Sequence, residues 1–303
     1  MTYSIVARDV ATGRLGVAVQ SHALAVGRSV PWIQSGTGAI ATQALTNPMF
    51  GPRGLEGLRR GDSPDRVVES LLATDERPRL RQLAIVDAHG STAAATGSGC
   101  VPVAGHVLGE GYSVQGNMLA SGTCLRAMAE AYEGGADVTF SERLLRVLEA
   151  AEATGGDVRG RQSAAIVIAE PHPDASPWNG ITLDIRLVDD PDPLAELRRL
   201  VNLTESYALL DEDGEAASTG RPRLDRYAEA RRRAPTAVGL AFRIAIELAN
   251  AGDLAAARRE MRVAVDADPR WRTALRRYDA AGRLTDPDTR GALLEEFGAA
   301  TES

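Results

Sequence analysis

The sequence predicts an α+β protein: two antiparallel sheets packed face to face, helices over their outer faces, and an all-helical C-terminal part. Three observations carry this. Short apolar strand patterns with glycine-rich corners fill the first half, helix patterns interrupt them, and strands return near residue 163. Strands and helices do not alternate one for one, as a doubly wound parallel sheet requires. Beyond about residue 195 no strand pattern remains.

In chain order, TYSIVAR and RLGVAVQS read as two strands joined through DVATG, a hairpin. TGAIATQAL is a third strand, with small residues where close packing is needed. Two amphipathic helices follow. GPRGLEGLRR carries Pro52 near its first turn, and SPDRVVESLLA has Ser63 as N-cap with Pro64 at the first helical position. RQLAIVDAHGSTAAATGS is a second hairpin turning at Gly90. The glycine-rich GHVLGEGYSVQGNMLASG leads into helices predicted over 120–133 and 141–154. SAAIVIAE and GITLDIRLVD close the strand region. The Asp- and Pro-rich stretch after Val188 is a rigid, solvated link, which sets the expected boundaries: a sandwich domain over 1–192, a helical linker over 193–234 and a helical appendage over 235–303. In the last, Leu248, Gly252, Ala257, Met261, Ala264 and Pro269 fall at the offsets of a tetratricopeptide-type (TPR-like) helical pair. The final residues, EFGAATES, read as frayed.

Composition narrows function. Apolar residues make up 44% of the 303-residue chain and charged residues 25%, as in soluble globular proteins. A net charge of −7 argues against nucleic-acid binding, which demands a basic face. The chain contains no lysine, so any side-chain cation in a site is Arg, and Lys chemistry is excluded. No apolar run reaches transmembrane length and no charged-then-apolar leader precedes the first strand, so a cytoplasmic protein with no membrane partner is expected. Cys100 and Cys124 lack metal-type spacing and are expected as buried free thiols. His22, His89, His106 and His172 are scattered near turns, and Asp189, Asp190 and Asp192 lack further oxygen ligands, so no metal and no cofactor are expected. No nucleotide-binding glycine fingerprint and no G-x-S-x-G elbow occurs.

Thr2 stands directly at the start of the first strand. Methionine removal is favoured before a small residue, and it would place a hydroxyl and a free α-amine on Thr2. With a reference pKa near 7.7–8.0, an α-amine accepts a proton close to neutral pH, giving a nucleophile–base pair on one residue. The plain alternative is that Thr2 merely begins a strand.

The blocks TYSIVARD, GVAVQSHALAVG, GAIATQALTNPMFGPRGLE, GYSVQGN and GRQSAAIVI, in this order, resemble the domain-of-unknown-function 1028 family over residues 2–190. That family is similar in fold to the N-terminal-nucleophile (Ntn) hydrolases. The resemblance implies a four-layer αββα sandwich with Thr2 at the nucleophile position. Gln20 and Ser21 then stand where proteasome-type subunits place an acidic residue, and Arg28 is the nearest basic residue in sequence. Ser113, Gly116 and Asn117 fall in the turn beside the nucleophile, and Gln162 and Ser163 in a second flanking turn.

The residue types also make chemical sense directly. Acyl transfer needs a nucleophile, a base and oxyanion donors. Asn117 lies in a glycine-rich corner, as an amide donor or as a helix N-cap. Thr42, Gln43, Thr46 and Asn47 form an uncharged hydrogen-bonding run before Pro48, suited to substrate contact or to an Asx-turn. The expectation is an amidohydrolase or acyl transferase using Thr2 and Asn117 on a small amide, cyclic amide or short peptide derivative. A non-catalytic ligand-binding or assembly protein on the same fold is the alternative. An exposed sheet edge or the appendage would make a homodimer or higher oligomer.

Overall fold

The computed structural model describes residues 2–173, 180–211 and 221–298, without the side chains of 221–223. It is a mixed α+β structure with two antiparallel sheets and ten α-helices among the described residues. The strands are β1 Thr2–Arg8, β2 Leu15–Ser21, β3 Pro31–Gln34, β4 Gly38–Ala44, β5 Arg81–Asp87, β6 Thr92–Thr96, β7 Gly105–Gly109, β8 Tyr112–Asn117, β9 Ser163–Ala169 and β10 Ile181–Leu187. One sheet has the order β10-β9-β2-β1-β8-β7 and the other β3-β4-β5-β6. Turn chemistry explains the predicted hairpins. Between β1 and β2 the Asp9 carboxylate accepts from the Thr12 backbone and hydroxyl, and Gly13 takes a φ of 74°. Between β5 and β6, Asp87 accepts from the His89 and Ser91 amides around Gly90, whose φ is 93°.

Strand alternation sorts the core into three buried clusters. Tyr3, Ile5, Ala18 and Val114 point to one side of the larger sheet, against Met128 of helix α3 (Cys124–Glu133) and Leu144 and Leu148 of helix α4 (Phe140–Ala153). Val6, Val17 and Val19 point the other way and meet Ala39, Ala41, Ala84 and Val86 of the smaller sheet. Ile40, Leu83 and Ile85 on that sheet's far face meet helices α1 (Phe50–Arg59) and α2 (Pro64–Ala73). The expected Ser63 cap forms by accepting from the Arg66 amide, and Thr139, not anticipated, caps α4 by accepting from Glu142.

Three elements differ from the sequence reading. β3 is a four-residue edge strand beginning at Pro31, too short to show a period. The glycine-rich 105–117 stretch is a hairpin, β7–β8, not a loop. Its turn uses Gly111 at a φ of 72°. β8 alternates, but Ser113, Gln115 and Asn117 fill its sheet-facing side, so the pattern does not look apolar. Asn117 therefore ends a strand and caps no helix. Helix α3 begins at Cys124, later than expected, because Ser121 turns the chain first by accepting from the Thr123 amide.

Helix α5 (Pro193–Asp211) contains the division between two compact units, residues 1–201 and 202–303. The second unit is helical: α6 Arg221–Arg233, α7 Val238–Asn250, α8 Leu254–Ala267, α9 Arg270–Ala280 and α10 Pro287–Phe297. Leu240, Ile244 and Leu248 of α7 share a core with Ala257, Met261 and Ala264 of α8. Gly252 turns between them at a φ of 81°, and Asp253 caps α8 by accepting from Ala256. Among the described residues no helix is long and apolar enough to cross a membrane. Cys124 is buried and Cys100 is only partly so, and both thiols are free.

Leu144 is fully buried between α4 and the larger sheet. Leu144→Ala should lower unfolding stability by about 2–5 kcal/mol in urea titrations; a change under ~1 kcal/mol would place this cluster outside the cooperative core.

Candidate functional site

The region of interest lies between the two sheets at the end where β1 begins. β1 is central, flanked by β2 and β8, and Thr2 is paired across with Asn117. Thr2 is 7% exposed and its hydroxyl donates to Ser21 Oγ at 3.1 Å. Ser21 ends β2 on the same face, since Val19 and Val17 before it also point between the sheets.

Several strands bring uncharged polar side chains to this end of the gap. Ser113 donates to Gln115 Oε1 at 2.9 Å, and Gln115 Nε2 donates to Ser4 Oγ at 2.6 Å. Ser4 donates to Gln43 Oε1 at 2.7 Å. Gln43 Nε2 donates to Gln82 Oε1 at 2.9 Å and approaches the Thr2 carbonyl at 3.3 Å. Asn117 Nδ2 donates to the same Gln82 oxygen at 2.9 Å. Gln82 shares its two N–H bonds among Thr96 Oγ1 at 3.0 Å and the carbonyls of Gly105 and Gly116, at 3.0 and 2.8 Å. Thr96 Oγ1, which accepts from Gln82, is also hydrogen-bonded to His106 Nδ1, 2.9 Å away. Burial holds the His106 pKa below its usual 6.5, which favours the neutral ring. Ser4, Gln43, Gln82, Ser113 and Gln115 are fully buried.

The alternation that gathers these groups turns others away. Gln20 pairs with Tyr3 and shares its face, toward the helices. It is fully buried there, and neither amide atom has a hydrogen-bond partner. Tyr3 donates to Glu152 Oε2 at 2.8 Å, and burial together with that carboxylate pushes its phenol well above the ordinary range. Thr42 follows Ile40 onto the outer face of the smaller sheet and bonds the Asn47 carbonyl at 3.3 Å, and Asn47 donates to Asp75 at 2.8 Å. Gly116 faces Leu119, which lies 2.8 Å from where a Cβ would sit. Ser163 fastens the segment after β2: it donates to the Ala23 carbonyl and accepts from the Val26 amide. Gln162 donates to Asp189 at 3.1 Å. Arg28 is exposed at the end of a short 3-10 turn, Val26–Arg28. Thr2, Ser21, Gln43 and Asn117 thus converge. Ser113 lies further along the gap opposite Val6 and reaches them only through Gln115 and Ser4, and Gln20, Arg28, Thr42, Asn47, Gly116, Gln162 and Ser163 do not join them.

Gln82, Gln115, Ser4 and Asp157 escaped the sequence reading. Gln82 and Ser4 carry a visible signal, each being polar at an inward position of an otherwise apolar strand, whereas Gln115 sits in the wholly polar inward row of β8. Asp157 has none. Gly155 and Gly156, with φ of 104° and 51°, fold the chain back over the strand ends. The Asp157 carboxylate is thereby fully shielded and accepts from the His22 amide at 2.9 Å, beside Ser21. Arg159 pairs with it at 3.2 Å. Among the described residues no group of three or more His, Cys, Asp or Glu could hold a metal ion.

The model of the family of unknown function DUF1028 matches residues 2–197, and the chain belongs to that family. A crystal structure of a DUF1028 protein from Silicibacter pomeroyi is 35% identical. The match covers 66% of this chain and 84% of that one, with a TM-score of 0.60. Anbu (ancestral beta-subunit) from Yersinia bercovieri, 12% identical, aligns over 72% of this chain and all of its own with a TM-score of 0.33. No curated protein matches the sequence.

Gln82→Leu keeps the bulk but strips partners from two amides and two carbonyls. It should cost about 3 kcal/mol or more in urea unfolding; a neutral effect would show the network to be dispensable. Because His106 is neutral in the fold and its pKa lowered, the unfolded chain takes up its proton first on acidification. The stability this neutral state contributes is present above pH 6.5 and lost as pH falls below it. His106→Asn, which retains a hydrogen-bonding group near the Nδ1 position, should flatten the fall in stability between about pH 7 and 5; an unchanged pH profile would contradict this.

Proposed function

We propose that this protein is an N-terminal-nucleophile amidohydrolase or acyl transferase acting on a small amide, cyclic amide or short peptide derivative, with the layers arranged as an αββα sandwich. The observation that carries the reading is the Thr2 hydroxyl, held 3.1 Å from Ser21 Oγ on the first residue of the central strand and paired with Asn117. With Met1 removed, the Thr2 Oγ attacks the substrate carbonyl carbon and its proton passes to the Thr2 α-amine. One Asn117 N–H bond is taken by Gln82 Oε1, and the second serves the oxyanion together with backbone N–H groups. As the C–N bond breaks, the ammonium returns the proton to the leaving nitrogen. Water or another acceptor then releases the acyl group from Thr2. Asp157 acts at one remove: by holding the His22 amide it fixes the turn that follows Ser21. The second unit is read as a TPR-like appendage for assembly into a homo-oligomer, and the protein as cytoplasmic.

The same fold without catalysis is a ligand-binding protein, and one experiment separates the two. Intact mass should show Met1 absent. A small acylating probe should add one acyl group, located on Thr2 by peptide mapping. Thr2→Ala, made so that Met1 is still removed, should lose more than about 100-fold in labelling rate. Retention of Met1, or equal labelling of the two proteins, would leave binding as the function.

A further inference from the structure

Two loops lie beside Asn117, the strand partner of Thr2. The segment after β6 crosses the end of the sandwich from one sheet to the other. On the smaller sheet the Gly97 and Gly99 amides donate to the carbonyls of Arg81 and Arg79. On the larger sheet the Met118 and Leu119 amides, just past Asn117, donate to the carbonyls of Val101 and Val103. The second loop follows the Gly155–Gly156 turn. Leu119 bridges Asp157, and the Val158 amide reaches the Met118 carbonyl at 3.5 Å. Three valines are thereby set on either side of Met118, and they are far from buried: Val101 is 50% exposed, Val103 43% and Val158 58%. Nothing in the hydrogen bonding of these loops requires β-branched apolar side chains in contact with water. The charges nearest in sequence, Asp157 and Arg159, are paired with each other. The side chains of Ser21, Gln43 and Asn117 beside Thr2 are a hydroxyl and two carboxamides.

We infer that Val101, Val103 and Val158 form a specificity surface selecting a neutral substrate with an aliphatic substituent next to the scissile carbonyl. The inference rests on the proposed role of Thr2. An uncharged polar interior supplies hydrogen bonds to the carbonyl but no counter-ion for a charged side group, and an ionic substituent would be desolvated without compensation. An aliphatic substituent lying over the valines removes apolar surface on both sides from water, worth up to about 4-fold in affinity per buried methylene.

The test uses the full-length protein and a series of β-lactones with methyl, propyl, pentyl and carboxymethyl substituents. In each, Thr2 Oγ attacks the lactone carbonyl, the acyl C–O bond of the ring opens, and the hydroxyl proton ends on the released alkoxide. Intact mass therefore rises by the mass of the lactone. Labelling efficiency should climb roughly 2- to 4-fold per methylene from methyl to pentyl, and the carboxymethyl compound should react slowest. Val158→Asp should flatten or reverse the alkyl series. Val10→Asp, an equally exposed change in the turn at the far end of β1, should leave it intact, and thermal unfolding confirms that both variants fold. If no lactone labels the wild type, the Thr2 reading fails. If all label but chain length has no effect, or carboxymethyl is preferred, the Thr2 reading stands and the specificity surface is refuted. If Val158→Asp dissociates an oligomer and leaves the alkyl series unchanged, the valines are contacts between copies, and the inference is refuted as well.

Discussion

The carboxamide of Gln82, fully buried between the two sheets, is the group on which the geometry of this end of the molecule depends. Its oxygen accepts from side chains on β4 and β8, and its nitrogen donates to β6 and to backbone carbonyls of β7 and β8. Apolar contacts between the sheets, such as Val17 and Val19 against Ala41 and Ala84, favour burial but are indifferent to small sliding. A buried amide is not indifferent: each unmet donor or acceptor carries a desolvation cost. The register of one sheet over the other is therefore fixed where Gln82 sits. The orientations of Gln43 and Asn117 follow, and with them the environment of the Thr2 carbonyl.

The bonds also share one direction. Each donor hands on to the next acceptor, from Ser113 through Gln115, Ser4, Gln43 and Gln82 to Thr96, whose hydroxyl also meets His106 Nδ1. Such a chain accommodates no net charge without reversing a member. The ionic pairs of this region flank the chain of bonds, Glu152 with Arg161 beside Tyr3 and Asp157 with Arg159 on the loop between α4 and β9. In the proposed chemistry the proton acceptor is then the Thr2 amine.

Much of the fold was legible because apolar alternation and turn chemistry agree locally. Asp9-to-Gly13 and Asp87-to-Gly90 turn as their sequences demand, and Ser63 caps as expected. β8 was hidden because its inward side is polar, and β3 because four residues carry no period. The site was legible in part for the same reason. Thr2, Ser21, Gln43, Ser113 and Asn117 all fall on inward positions. Gln20 and Thr42, each one residue from an inward neighbour, are turned to the opposite face by the two-residue repeat of a strand. Reading motifs as blocks blurred this distinction. Gln82 lies far from every block and reaches the site only through strand order. Asp157 reaches it only through two glycines at positive φ, and such folding-back is not encoded in spacing.

In the proposed function Thr2 is a hydroxyl nucleophile whose base is its own amine. The pH dependence of single-turnover acylation tests that most directly. The rate should rise with pH through a single ionisation near 7.7–8.0, the range of an α-amine, and His106→Asn should leave that ionisation in place. A rate that follows an ionisation in the carboxylate range, or one that shifts with His106→Asn, would show that a side chain accepts the proton and would contradict the mechanism.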